Sequence, residues 1–497
     1  MSRYFGIPLR NGLPLGLGAV ATLRSGGASG PVNSATDWYF AQLGLTGTPW
    51  ADVSRTGLGT RVDSAGLVRQ GPHNLIQQSE NVSAAIWSKA QSATTPDAET
   101  IVFAALPESR VEQSGAALQL TQIGDSATVQ VEMRADVPMQ VNLSAGGDRV
   151  YTTVNVTTQW QRFTATRTRT GAGTENVFAI IANVGSAAGT VKVRRIGINL
   201  GPTAFDYIPT TSSARYLPRL TWDPVTLSPL GLLVEGQAAN EIGSHSLASP
   251  QMVTQTITVT AAQRTLSFYG TGTVTLSGAH SATVVGTGAY PSRRTLTFTP
   301  SAGSLTLTVS GTVQFPQQET GSVATSYIPN PGSGSAVRVA DDWFLSGSAL
   351  DAALGAARNN FTIYVEWFEP AGALVGNPRV MYLGTTDYSR RVDVYRNGSG
   401  VTVFVADGVG STTIAQSPAN AGALNKLAIS ADGTNVRFVL NGSAGATLAS
   451  AFGGAAMAAR LLLLHAPGSS WMNTYVPAAR AYPGRAMSIA EMQALTA

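Results

Sequence analysis

Residues 204–242 read AFDYIPTTSSARYLPRLTWDPVTLSPLGLLVEGQAANEI, and parts of this stretch recur on either side of it. Phe205-Asp206-Tyr207-Ile208-Pro209-Thr210 returns as Thr325-Ser326-Tyr327-Ile328-Pro329-Asn330. Gly231-Leu232-Leu233-Val234-Glu235-Gly236, followed by Asn240, echoes Gly66-Leu67-Val68-Arg69-Gln70-Gly71, followed by Asn74. Segments copied in this way punctuate modules. They divide the chain into an N-terminal arm over 1–73, a module over 74–215, a linker over 216–239, a smaller module over 240–334 and a third module over 335–497.

Working outward, composition points to class more than to chemistry. A chain of 497 residues has room for about three cores. Only 12% of residues are charged, and Gly, Ser, Thr, Ala and Val dominate, which suits many short strands and turns. The excess of 32 Lys+Arg over 28 Asp+Glu is small, and the arginine pairs 194–195, 293–294 and 390–391 are isolated, so a surface that tracks nucleic-acid phosphates is not expected. There is no cysteine, which excludes disulfides and thiolate metal sites. The N-terminus is broken by Pro8, Arg10, Asn11 and Pro14 and lacks the apolar run of a signal peptide or spanning helix. Membrane insertion is therefore not expected, and synthesis in a bacterial cytoplasm with release by assembly and lysis is.

The arm is Gly-rich and aperiodic, with aromatics at Trp38, Tyr39, Phe40 and Trp50 that either pack on the next module or dock on a larger particle. The first module alternates over 127–133, with Val129, Val131 and Met133 on one face, and over 150–156, 160–166, 177–184 and 190–198. The second shows short strands over 255–259, 265–269, 273–277, 294–298, 304–309 and 311–315. In the third, Phe361, Ile363, Val365 and Trp367 share one face of a strand, and Asn397-Gly398 and Asp432-Gly433 turn hairpins. Ser488 and Glu491 form a capping box for a short C-terminal helix. The fold class is all-β: tandem jelly-roll or β-sandwich modules with an irregular N-terminal arm. Asn330 to Ser335, rich in Gly and Ser, reads as a flexible hinge.

NLIQQSENVSAAIWSKA over 74–90, WQRFTAT over 160–166, QQETGSVATSYIPN over 317–330 and WDPVTLSPLGLLVEGQAAN over 222–240 resemble the repeated modules of tailed-phage fibre and spike proteins, including those of phage-like gene transfer particles. The resemblance covers about residues 56–345. It implies jelly rolls similar to carbohydrate-binding modules, followed by a concanavalin-like lectin domain. The ending AMSIAEMQAL over 486–495 resembles the close of concanavalin-like, laminin-G-like sandwiches. The first module departs from the pattern where Asn199-Leu200-Gly201-Pro202 stands in place of Gln-Leu-Glu-x-Gly, which the second nearly keeps as Gln317-Gln318-Glu319-Thr320-Gly321.

Residues with catalytic or ligating chemistry are sparse. His73, His245, His280 and His465 are far apart and read as turn or surface residues. Glu366 and Glu369 fall on opposite faces of a strand, which disfavours a glycosidase pair. Asp341-Asp342 lacks the clustered oxygens calcium needs and reads as a solvated turn; no cofactor is expected.

A binding face remains. If the valines of 392–405 face the core, Tyr364, Arg391, Asp393, Tyr395 and Phe404 lie opposite, where rings can stack on sugar C–H faces while Arg and Asp take hydroxyls. Trp471 and Tyr475, in an expected loop, add two further candidates. The same rings could instead pack on a neighbouring subunit or on the second module. The expectation is a virion adhesin: an arm that contacts other virion proteins, two spacer modules and a lectin-like head for host polysaccharide, with a homo-oligomer, a trimer by preference, as the assembly. The competing reading is a structural connector of the virion that binds only other virion proteins.

Overall fold

The computed structural model describes residues 55, 57–370, 376–398, 400–416 and 419–497, together with the strand Thr36–Tyr39. Antiparallel sheets dominate it, and among the described residues only two helices occur, Gly347–Leu354 and Ile489–Thr496. None is long and apolar enough to cross a membrane. The fold is all-β and built of β-sandwich modules, as the alternation predicts.

Three apolar cores account for this. In the first module a five-stranded sheet, in the order Thr152–Val156, Met139–Gly146, Glu175–Asn183, Arg110–Leu120 and Ser88–Ala90, faces a four-stranded sheet of Gln161–Thr168, Ser126–Ala135, Gly189–Leu200 and Thr100–Phe103. Val129, Val131 and Met133 point inward against Val141, Leu143, Val177 and Ile181, all fully buried. Each such side chain contributes about 1.5–3 kcal/mol by leaving water. In the second module Gln255–Val259, Gly303–Ser310, Thr273–Gly278 and Ala282–Val285 face Arg294–Phe298, Arg264–Tyr269 and Gln314–Thr320. The strand expected over 311–315 begins later, because Gly311 takes φ +74° in a turn and pairing with Arg264–Tyr269 starts at Gln314.

The third module contains β1 (Phe344–Ser346), α1 (Gly347–Leu354), β2 (Phe361–Phe368), β3 (Arg379–Gly384), β4 (Arg391–Asn397), β5 (Gly400–Ala406), β6 (Ser411–Gln416), β7 (Leu424–Ala431), β8 (Asn435–Leu440), β9 (Arg460–Leu463), β10 (Thr474–Val476), β11 (Ala478–Pro483) and α2 (Ile489–Thr496). One sheet runs β11–β2–β7–β8 and the other β1–β9–β3–β4–β5–β6. Phe361, Ile363, Val365 and Trp367 meet Val392, Val394, Val401, Val403 and Val405 between them. The Ser488–Glu491 capping box forms, and α2 lays Met492 over Tyr364, Ala428 and Val439 on the outside of the first sheet.

The repeated motifs close the first two modules in the same way. Asn74 Nδ2 donates to Ile196 O (3.1 Å) and Ile208 O (2.8 Å), while its Oδ1 accepts from Ile198 N (3.1 Å). Asn240 Nδ2 donates to Pro316 O and Ile328 O (2.9 Å each), and its Oδ1 accepts from Gln318 N (3.1 Å). Each asparagine thus ties the start of a module to its last strand and to its Tyr-Ile-Pro ending. The ending's tyrosine bonds the residue five positions after that asparagine: Tyr207 to Ser79 Oγ (2.7 Å), and Tyr327 to His245 Nδ1 (2.5 Å). The departure at Asn199 keeps its local task, since Asn199 accepts from Phe205 N (3.4 Å) as Glu319 accepts from Thr325 N (2.9 Å).

The segment 216–239 is not a detached linker. Leu220, Leu232 and Val234 belong to the third core, and Pro229–Val234 pairs with β10. Between them lies a buried ionic hub. Arg219 Nη2 donates to Glu235 Oε2 (2.7 Å) and to Asp341, and Nη1 donates to Thr60 O (2.6 Å) and Ser326 Oγ (2.7 Å). Arg55 Nε lies 2.5 Å from Asp341, and Arg338 Nε 3.7 Å from Glu235. Burial pushes the Glu235 carboxyl up, but Arg338, Arg219 and the Ser326 hydrogen bonds outweigh it and hold the group at about 2. Asp341 is therefore an ion-pair member and not a solvated turn, and its oxygens are taken by guanidiniums.

Three further expectations change. The hinge is tied down: Ser244 N donates to Gly332 O (2.8 Å), Gln122 Nε2 to Pro331 O (3.0 Å), and Asn330 Nδ2 to Asn240 O (3.1 Å). Arg55 and Thr60 of the arm join the hub, Thr60–Val62 pairs with Val68–Gln70, and Thr36–Tyr39 adds to the edge of β11; Phe40 and Trp50 lie outside the described residues. His73, His245 and His465 are buried, not surface residues, because each completes a backbone connection.

Two outcomes follow from these contacts. Arg219→Ala leaves two carboxylates buried without their shared partner and is expected to cost roughly 3–5 kcal/mol in guanidinium denaturation. His73 donates from Nδ1 to Gly71 O (2.7 Å) and accepts Leu200 N–H at Nε2 (2.9 Å), and desolvation lowers both it and His245 to about 4. Below pH 6.5 the unfolded rings bind protons that the folded rings cannot, so stability present above pH 6.5 is lost as pH falls toward 4, by up to about 3 kcal/mol per ring. Denaturation midpoints at pH 7 and pH 4 measure this, and His73→Gln with His245→Gln should flatten the profile.

Candidate functional site

The outer face of the β1–β9–β3–β4–β5–β6 sheet brings several rings and guanidiniums of the third module together. Register places Asp393 opposite Tyr382 on one side and Phe404 on the other, and Tyr395 opposite Arg379 and Thr402. Because side chains alternate, residues 391, 393 and 395 of β4 stand on this face while Val392 and Val394 fill the core.

Asp393 organises it. Its side chain is 1% exposed and accepts from Arg379 Nε and Nη2 at 2.9 Å each, the bidentate geometry a planar guanidinium favours. Arg391 Nε lies 3.6 Å from the same carboxylate. Both cations then rest on rings: Arg379 is 5.0 Å from the Tyr395 centroid, and Arg391 is 4.3 Å from Phe404 and 5.6 Å from Tyr388. Tyr388 folds back over Tyr382 and donates to Pro467 O (2.9 Å), which fixes the turn at one end of the face. Tyr395, Phe404 and Tyr388 stay half-buried, so each keeps an accessible edge or face. Half-buried rings beside in-plane N–H donors can stack on a sugar's C–H face while donating to its oxygens.

Of the seven residues singled out from sequence, Arg391, Asp393, Tyr395 and Phe404 come together. Asp393 is too deeply enclosed to take hydroxyls itself and instead positions Arg379 and Arg391. Tyr364 does not share their face: it lies on the other sheet, 2% exposed beneath α2, with its hydroxyl donating to Glu366. Trp471 is not an exposed loop residue, since Nε1 donates to Asp341 O (2.9 Å) and the ring stacks on His465 at 5.6 Å. Tyr475 lies on β10, stacked on Phe368 at 5.2 Å, away from β4. Sequence reasoning missed Arg379, Tyr382, Tyr388, Phe344 and Arg460, which reach this face because β3, β9 and β1 follow β4 across the sheet. The sequence signal in β3 is the unbroken apolar run Val380-Met381-Tyr382-Leu383, all of it buried because Tyr388 and Leu462 pack on the outward Tyr382.

Fold and site define a class, an all-β protein of several β-sandwich modules with a ring-and-guanidinium face on its last sandwich. No family model and no curated protein matches the sequence. Among solved structures the chain is similar to the Ruminococcus gnavus IT-sialidase CBM40 bound to α2,3-sialyllactose (20% identity over 32% of this chain and 92% of that one, TM-score 0.26). It is similar also to a leech intramolecular trans-sialidase (19%, 31% of this chain and 26% of that one, TM-score 0.26) and to the botulinum neurotoxin type G receptor-binding domain (14%, 27% and 37%, TM-score 0.21). The chain thus spans about a quarter of the leech enzyme's length and just over a third of the toxin domain's.

Replacing Asp393 by Asn removes the enclosed charge that holds the two half-open guanidiniums. The expected loss is about 1.5–3 kcal/mol, the usual contribution of hydrogen bonds to a charged group. Thermal unfolding of the variant measures it.

Proposed function

We propose that the protein binds carbohydrate through the outer face of β3, β4 and β5, and that it does so as an adhesin on a virion surface. The observation that carries the binding reading is the set of three half-buried rings, Tyr388, Tyr395 and Phe404, interleaved with Arg379 and Arg391 that a single enclosed carboxylate pins in place. A core would not leave these rings open, and an unstructured surface would not fix guanidiniums bidentately. Rigid placement lowers the ordering cost of binding, which matters for polar ligands such as glycans.

The virion reading rests on modular organisation without cysteine and on the resemblance of the repeated motifs to phage fibre and spike modules. In it the first two modules are spacers, residues from the N-terminus contact other virion proteins, and the chain works as a homo-oligomer. Immunogold labelling of intact particles with an antibody against the third module tests placement; absence of label on purified particles would remove the virion reading and leave the binding reading untouched.

Binding is tested on the full chain, because the third core includes Leu220, Leu232 and Val234 from the segment before the second module. Tyr395→Ala removes one ring from the centre of the face. Glycan or cell binding should fall about ten- to a hundredfold while stability changes by about 1 kcal/mol or less. Intact binding with a fall of many degrees in Tm would assign Tyr395 to packing.

A further inference from the structure

The same face carries more cation than acid, and the excess has a location. Arg460 on β9 stands opposite Gly384, and Gly384 stands opposite Arg391, so a cross-strand row reads Ser346, Arg460, Gly384, Arg391, Ala406. Strand spacing sets the two arginine Cα positions roughly 9.5 Å apart, with no side chain between them. The glycine is required there, because an added Cβ would come within 2.4 Å of Arg390 O.

Arg460 lies 4.4 Å over the Phe344 ring, and among the described residues its guanidinium has neither an ion pair nor a hydrogen bond. Arg391 lies on Phe404 and Tyr388 with Nε buried and Nη1 donating to Tyr388 O, which leaves Nη2 without a protein partner among the described residues. The acids at the neighbouring turns are engaged. Asp387 Oδ1 accepts from Ser389 N (3.1 Å) and Oγ (2.9 Å), and Asp407 accepts from Val409 N, Gly410 N and Ser450 Oγ at 3.0 Å each. The Phe344 ring shields the Arg460 guanidinium from water on one side, yet its in-plane fork is unengaged among the described residues. That fork matches a carboxylate bidentately.

We propose that the glycan bound here is acidic, with carboxylates of a uronate or related sugar acid meeting Arg460 and Arg391 while neighbouring sugar rings lie on Phe404 and Tyr395. The proposal rests on the carbohydrate reading above and deepens it.

Polygalacturonate, hyaluronate and polysialate, each beside its carboxyl-reduced form, serve as probes of the full-length protein in an immobilised-glycan assay. At least one acidic polymer should bind, and carboxyl reduction should weaken it about tenfold or more. Arg460→Gln should lower binding of that acidic form by a similar factor with Tm unchanged, and Arg460→Lys, which keeps the charge but loses the fork, should restore it only in part. Equal binding of acidic and reduced forms, or an Arg460→Gln variant that binds the acidic form like wild type, overturns the proposal. Tyr395-dependent binding of neutral glycans without any gain from carboxylates overturns it and leaves the carbohydrate reading standing. Retention of no glycan in any form sinks both.

Discussion

A single buried guanidinium, that of Arg219, fixes how the pieces of this chain meet. It is fully enclosed and bonds Glu235, Asp341, Thr60 O and Ser326 Oγ, groups drawn from the N-terminal segment, the segment between the modules, the end of the second module and the start of the third. Taking these ions out of water costs several kcal/mol each, so the hub is a poor source of stability compared with the apolar cores. Its value is directional. Carboxylates and guanidiniums accept only a narrow set of geometries, and an apolar plug of the same volume would tolerate sliding. Arg55, which desolvation lowers to about 10, adds a third cation beside Arg219 and Arg338, so the cluster holds together only with all its oxygens in place.

The duplicated motifs work on a smaller scale by the same means. Asn74 and Asn240 each satisfy buried backbone groups on two segments at once, and no apolar residue could do so without leaving them unpaired. This explains why an asparagine and a Tyr-Ile-Pro ending travel together through the sequence. The partner of the tyrosine can vary, Ser79 in one module and His245 in the other, because a hydroxyl and an imidazole nitrogen both bond a phenol.

On the outer face of the third module the arrangement is reversed: cations are left half-open and acids are enclosed. Asp393 is buried so that Arg379 and Arg391 need not be, and rings rather than carboxylates support the rest of their surface. Such a face keeps its shape without a ligand, which is what a surface that recognises polar, weakly held partners requires.

How much of this was legible in the sequence depends on the range of the interaction. Period-2 alternation determined the all-β class and the inward residues of β2, β4 and β5, because burial of one strand face is a local property. Asn397-Gly398 marked the β4–β5 hairpin, although Asn397 still pairs with Gly400 and it is Gly398 that takes φ +58°, and alternation along the two strands then groups Arg391, Asp393, Tyr395 and Phe404. Asn74 and Asn240 of the copied motifs each bond a later strand of the same module. The assembled sheets alone place Tyr364 under α2, Trp471 on His465, Leu220, Leu232 and Val234 in the third core, and Arg379 and Arg460 on the strands β3 and β9 that follow β4 across the sheet. Apart from Trp471 on His465, these contacts join residues from 14 to over 200 positions apart, through a strand order that no periodicity encodes. Alternation tells which face a side chain takes; it does not tell which strand will lie beside it.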